Sequence, residues 1–294
     1  MRPKTLKINL DTLRSDPRLV QEWKSLEWNS ALTLPPFSKS LKQVAIIGHP
    51  DDEGVRLNNG REGAAEGPSR LLYYLGRMVH RTKETPPILI ISDSISRPSL
   101  ESRHIETEKR VRHLLKLNCR VITFGGGHDY GFPDASAYYQ TCKGKVLNVD
   151  AHLDVRPVLE GRLTSGTTFF RFIQKFGGRS LIEWGIQDQC NAISHRNFAR
   201  KSGAKILDSK SKMPKISGPV GLSLCLDAFK GIRGVSAPCF VGLDPEQGVE
   251  VVDAYKKKSQ WLGIYECAPK YDPINEDSAR FGALLAYRFI HQNL

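Results

Sequence analysis

The chain has 294 residues, 40% of them hydrophobic and 25% charged, and a formal net charge of +12. These are globular values with room for one large α/β domain or two small ones, and no apolar run approaches the roughly 20 residues that a bilayer-spanning helix needs. Lys and Arg are dispersed, the densest group being Lys256–Lys258, and no homeodomain, zinc-finger or RRM pattern accompanies them, so the charge suits a small anionic metabolite better than nucleic acid.

The N-terminal "MRPKTLKINLDTLRSD" is basic but interrupted by Asp and lacks the apolar core of a secretory signal. Residues 1–40 show no clear strand and close on the loop-like "LTLPPFSKS"; they read as an extension packed on a single domain of residues 41–294. Short β-branched runs then recur at 43–48, 88–92, 120–124, 145–149, 181–186, 204–207, 220–226 and 261–266. Amphipathic stretches such as "PSRLLYYLGRMVH", "ETEKRVRHLLKL", "QCNAISHRNFARKSG" and "EDSARFGALLAYRFIHQ" separate them. Alternating strand and helix with few hairpin signals predicts a parallel sheet covered on both faces, either open or closed into an eight-stranded barrel. In both cases ligands collect at the carboxyl ends of the strands. Six cysteines without a CxxC pair, in a chain too large to need disulfide staples, suit a thiol-reducing cytoplasm.

Chemistry-bearing residues sit at those strand ends. "GGGHDYG" presents His128 after three glycines, which permit a tight corner and close backbone approach; a His there also suits a structural hydrogen bond. "NVDAHLD" alternates Asp150, His152 and Asp154, and an extended backbone would send all three side chains to one side. Two carboxylates and an imidazole converging there repel and desolvate one another unless a cation holds them, whereas in a polar loop each would cap a helix or meet water. "SLCLDAF" puts Ser223, Cys225 and Asp227 on one strand face, with Asp227 a ligand or a cap.

Together with "DDEGVRLNNGREGAAEGPSRLLYYL", "SGTTF", "GIQDQCN", "GVSAP" and "YECAPKYDP", these segments resemble the ureohydrolase family in order and nearly along the whole chain. The resemblance implies an arginase-like α/β/α fold with an eight-stranded, mainly parallel, open sheet. It also implies a binuclear Mn2+ site at His128, Asp150, His152, Asp154 and Asp227, and a homo-oligomeric assembly. Oxygen-rich ligands with imidazole agree with a Mn2+-like ion. In the family mechanism Asp154 also orients the attacking water, and Glu266 is the carboxylate facing the cationic end of an amino-acid-derived substrate.

Details lean toward the branch that hydrolyses N-formimino-L-glutamate to glutamate and formamide in histidine breakdown. "DVRP" stands where arginases carry an Asn-Thr-Pro type run, and "SGTTF" removes the shuttle His of their "HG" segment. Arg156 could clamp a substrate carboxylate bidentately, and Asn191 could bind the amino-acid end or cap a helix. One departure stands out: the family's Ser-x-Asp-x-Asp strand here carries Cys225 at the first Asp, the residue that bridges both metals. Lys230 in the following "KGIR" would oppose metal binding if it pointed inward. The competing expectations are therefore a guanidino hydrolase, or a catalytically impaired relative with one ion or none.

Overall fold

The structure is a computed structural model that describes residues 6–8, 43–79, 88–91 and 97–292. Most of the expected N-terminal extension thus lies outside the described residues. Its short strand β1 (Leu6–Ile8), which had no signal in the sequence, pairs antiparallel with β3 (Ile88–Ile91) at one edge of the sheet.

The eight expected runs all form strands. They are β2 (Val44–Gly48), β3, β4 (Arg120–Phe124), β5 (Lys145–Val149), β6 (Leu181–Ile186), β7 (Lys205–Asp208), β8 (Val220–Cys225) and β9 (Trp261–Tyr265). The sheet order is β1-β3-β2-β4-β9-β8-β5-β6-β7, and every pair from β3 to β7 is parallel. The sheet is open, so the barrel alternative is excluded.

Continuous apolar runs follow from burial on both faces. Every residue of β2, β4, β6, β8 and β9 is buried, whereas the edge strand β7 has none buried. Alternation divides the strands between two cores. Val44, Ile46, Leu147 and Val149 face one side, where Leu71, Leu75, Leu285 and Phe289 pack on them. Ala45, Ile47 and Val146 face the other, with Leu114, Tyr138 and Phe172. Helices Gly67–Gly76, Pro245–Tyr255 and Asp277–Ile290 therefore cover one face, and Leu100–Lys116, Gly131–Cys142 and Thr168–Phe176 the other. No helix among the described residues is long and apolar enough to cross a membrane.

Five adjacent strands, β4-β9-β8-β5-β6, end side by side at the middle of the sheet. Their carboxyl ends supply the candidate ion ligands and Glu266.

Candidate metal centre and substrate cavity

After β4 the chain turns sharply through Gly125–Gly127. A Cβ on Gly126 would lie 1.8 Å from the carbonyl oxygen of Asp51, so only glycine fits there. The turn delivers His128, which is buried and stacked on Tyr265 with ring centroids 4.8 Å apart. His128 Nε2 lies 2.9 Å from Ser223 Oγ, which leaves Nδ1 for the cavity. Its backbone N–H donates to Glu266 Oε1 at 2.7 Å.

β5 stops at Val149, and the next residues do not stay extended as the alternating pattern predicts. Asp150 Oδ1 accepts the His152 N–H at 2.8 Å, bending the chain, and Asp154 adopts a left-handed φ of 48°. Backbone N–H groups of Phe169 and Phe170 bond to the Asp154 carbonyl at 2.9 and 3.1 Å and hold that conformation. The three side chains still converge, but through a folded loop rather than a strand extension. Left-handed backbone at a non-glycine residue costs about 1–3 kcal/mol and persists where surrounding contacts over-determine it; Glu266 shares the feature, with φ 65°.

The gathered atoms are close. His128 Nδ1 is 2.9 Å from Asp150 Oδ2 and 3.0 Å from Asp154 Oδ2. His152 Nδ1 is 3.4 Å from Asp150 Oδ1 and 3.2 Å from Asp227 Oδ2. Asp227 projects from the turn Leu226–Ala228 just beyond β8. Cys225, 1% exposed, offers its sulfur within 4.8 Å of ligand atoms of His128 and Asp150.

Burial and mutual repulsion shape the charges. Burial, then the Asp150 charge, pushes Asp154 up to about 6 and raises Asp227. Burial raises Asp150 too, but bonding to His128 and His152 outweighs it and the net shift is downward. Burial alone would lower both imidazoles, yet the carboxylates around them carry both well above the ordinary range. Burial, with the charges of Asp150, Asp227 and Glu266, holds the Cys225 thiol well above its usual value, so it is neutral. Burial, then Asp227, raises Glu266 to about 8.

This donor set fits divalent cations. Asp227 Oδ1 and Glu266 Oε2 are buried without a hydrogen-bond partner, and buried polar atoms left in that state are costly. Crowded oxygens with imidazole nitrogens satisfy a Mn2+-like ion rather than one another.

Above this floor opens a cavity of about 220 Å³, lined by His128, Asp150, His152, Asp154, Asp227 and Glu266 below and by Arg156, Asn191 and Cys190 nearer the mouth. Arg156 is exposed and donates through Nη1 to Asn58 Oδ1 at 3.0 Å; it makes no ion pair among the described residues. Asn191 lines the cavity, and the helix-cap alternative does not hold. Its Nδ2 donates to the carbonyls of Ala151 (2.8 Å) and Gln187 (2.7 Å), and its Oδ1 accepts the Leu153 N–H (2.8 Å). One donor hydrogen and Oδ1 brace the ligand loop, the other hydrogen holds Asn191's own turn at Gln187, and the N-cap of the next helix is Ala192. Lys230 points away from the centre: its Nζ pairs with Asp244 at 2.5 Å and its side chain is half exposed.

Asn58, Arg61, Ser165, His195 and Ser236 also line the cavity and carried no signal of their own. Asn58 Nδ2 bonds Ser165 Oγ at 3.0 Å while its Oδ1 holds Arg156, so it orients the guanidinium. Burial, then the charge of Arg156, lowers the pKa of His195.

A family model described as the arginase family matches residues 42–291. The formimidoylglutamase of Staphylococcus epidermidis is 26% identical over 288 residues, spanning 88% of this chain and 89% of that protein. That of Clostridium tetani is 29% identical over 273 residues, spanning 81% and 79%. Trypanosoma cruzi formiminoglutamase, solved with Mn2+, superposes with a TM-score of 0.79 at 24% identity over 97% of this chain and 98% of that one, a likeness that bears on the fold.

Proposed function

The chain belongs to the arginase family, and from that premise we propose that it is a metal-dependent hydrolase of a linear amidine, N-formimino-L-glutamate, releasing L-glutamate and formamide. The observation that carries this is the polarity of one cavity: four carboxylates and two imidazoles on its floor, an exposed guanidinium without an acidic partner among the described residues at its mouth. A substrate with a cationic amidine at one end and carboxylates at the other fits that gradient. Agmatine, with no carboxylate, leaves Arg156 unmatched and brings a second cation toward it.

His128, Asp150, His152, Asp154 and Asp227 would hold Mn2+, two ions in the fullest case. Bound there, the ions supply Lewis acidity, lowering the pKa of water and offsetting charge that develops during attack. The residues do the rest. Arg156 pairs with a substrate carboxylate, charge-assisted and steered by Asn58. Glu266, whose Oε1 is tied to the His128 N–H, offers Oε2 to the amidinium N–H groups. Asp154 accepts a hydrogen of the attacking water and aims its lone pair at the amidine carbon. The C–N bond to glutamate breaks as its nitrogen takes up a proton, and the carbon departs as formamide.

Cys225 favours a second version, a weakened centre. With the thiol protonated, three aspartates stand against the four positive charges of two divalent ions, where a bridging carboxylate would supply a fourth negative charge. Homo-oligomeric assembly and a cytoplasmic setting complete the proposal. The test is an assay of Mn2+-loaded protein on formiminoglutamate, agmatine and guanidino acids, scoring formamide against urea. Formamide from formiminoglutamate supports the proposal; urea release, or no turnover with metal bound, overturns it. A Cys225→Asp variant separates the versions: large activation means that the thiol cripples the natural centre.

A further inference from the structure

Two thiols face each other beside the cavity and take no part in the chemistry above. Cys190 follows β6 and lines the cavity; Cys239 lies in the loop before Pro245–Tyr255. Both are half-buried, and their sulfurs are 3.7 Å apart. Ligand atoms of Cys190, Cys239 and His152 all lie within 4.8 Å of one another.

We propose that Cys190, Cys239 and His152 form a site for a thiophilic divalent cation of the Zn2+ class, distinct in chemistry from the carboxylate floor. The spacing carries the inference. Thiolates bound at about 2.3 Å to a tetrahedral ion stand about 3.8 Å apart, close to the separation present here. A disulfide would instead require the sulfurs to close to about 2.05 Å. Two sulfurs and an imidazole are a soft set that selects Zn2+ over Mn2+, and the open mouth leaves a fourth position to water. Binding displaces two thiol protons to solvent; no oxidant or reductant is involved.

His152 belongs to both sets, since its Nδ1 also faces Asp150 and Asp227. A thiophilic ion at the mouth therefore shares an imidazole with the floor, so occupancy of one site bears on the other. This follows from ligand geometry and holds whichever amidine is the substrate.

Co2+ is the probe, because thiolate ligation gives it an intense charge-transfer absorption that carboxylate and imidazole ligation lack. Titration of the metal-free full chain is expected to produce that band, and Cys190→Ser with Cys239→Ser to abolish it while Mn2+ binding, read by electron paramagnetic resonance, is retained. In the unaltered protein, Zn2+ should shield Cys190 and Cys239 from maleimide labelling, read by peptide mapping. A full band in the double variant, a band that only Cys225→Ser removes, or undiminished labelling of Cys190 and Cys239 with Zn2+ would overturn the proposal.

Discussion

The floor of the cavity is rooted in strand ends and almost closed to water, whereas its mouth is carried by loops and partly open. Asp150 is 0% exposed and braced from several sides, while Arg156 is exposed and held by one neutral partner, Asn58. Cation ligands lose affinity when their geometry drifts, so they sit where the sheet fixes them. A carboxylate clamp has to admit and release a substrate, and a loop permits that. On the function proposed above, the contrast would put ion binding at the floor and substrate choice at the mouth.

Four substitutions sharpen or break that division. Asp227→Ala removes a floor carboxylate and should cost more Mn2+ affinity and turnover than the ~10–100-fold typical of a supporting residue; calorimetry and formamide release read both. Arg156→Ala should raise KM about tenfold with kcat nearly kept, an effect smaller than a buried charged hydrogen bond because the guanidinium is exposed. An unchanged KM would remove the clamp. Asn191→Ala deletes three hydrogen bonds, two of them to the ligand loop, and should destabilise the fold by ~1–3 kcal/mol in urea unfolding; a pure KM effect with unchanged stability would favour a substrate-binding role for Asn191. Lys230→Ala should leave Mn2+ affinity unchanged and stability within ~0.5 kcal/mol, as for an exposed ion pair.

The strands were legible because burial on both faces demands uninterrupted apolar runs, as at Val44–Gly48 and Trp261–Tyr265. Helix Leu100–Lys116 begins six residues before the amphipathic stretch that announced it, because Ser99 and Ser102 form a capping box that the apolar period does not mark. The ligand set was visible as residue types, yet its geometry was not: Asp154 reaches the cluster through a left-handed turn set by Phe169 and Phe170, distant in sequence. Asn191 carried an ambiguous signal, since an amide suits substrate and backbone equally until its partners are seen. The juxtaposition of Cys190 and Cys239 comes from tertiary packing and has no local motif at all.

The central claim is that buried carboxylates and imidazoles on adjacent strand ends form a divalent-cation centre. Calorimetric titration of the metal-free chain with Mn2+, paired with Asp150→Ala, tests it most directly. Saturable binding at one to two ions per chain, lost in the variant, is the predicted result. Binding that survives Asp150→Ala unchanged, or no Mn2+ uptake by the folded wild-type chain, would contradict it.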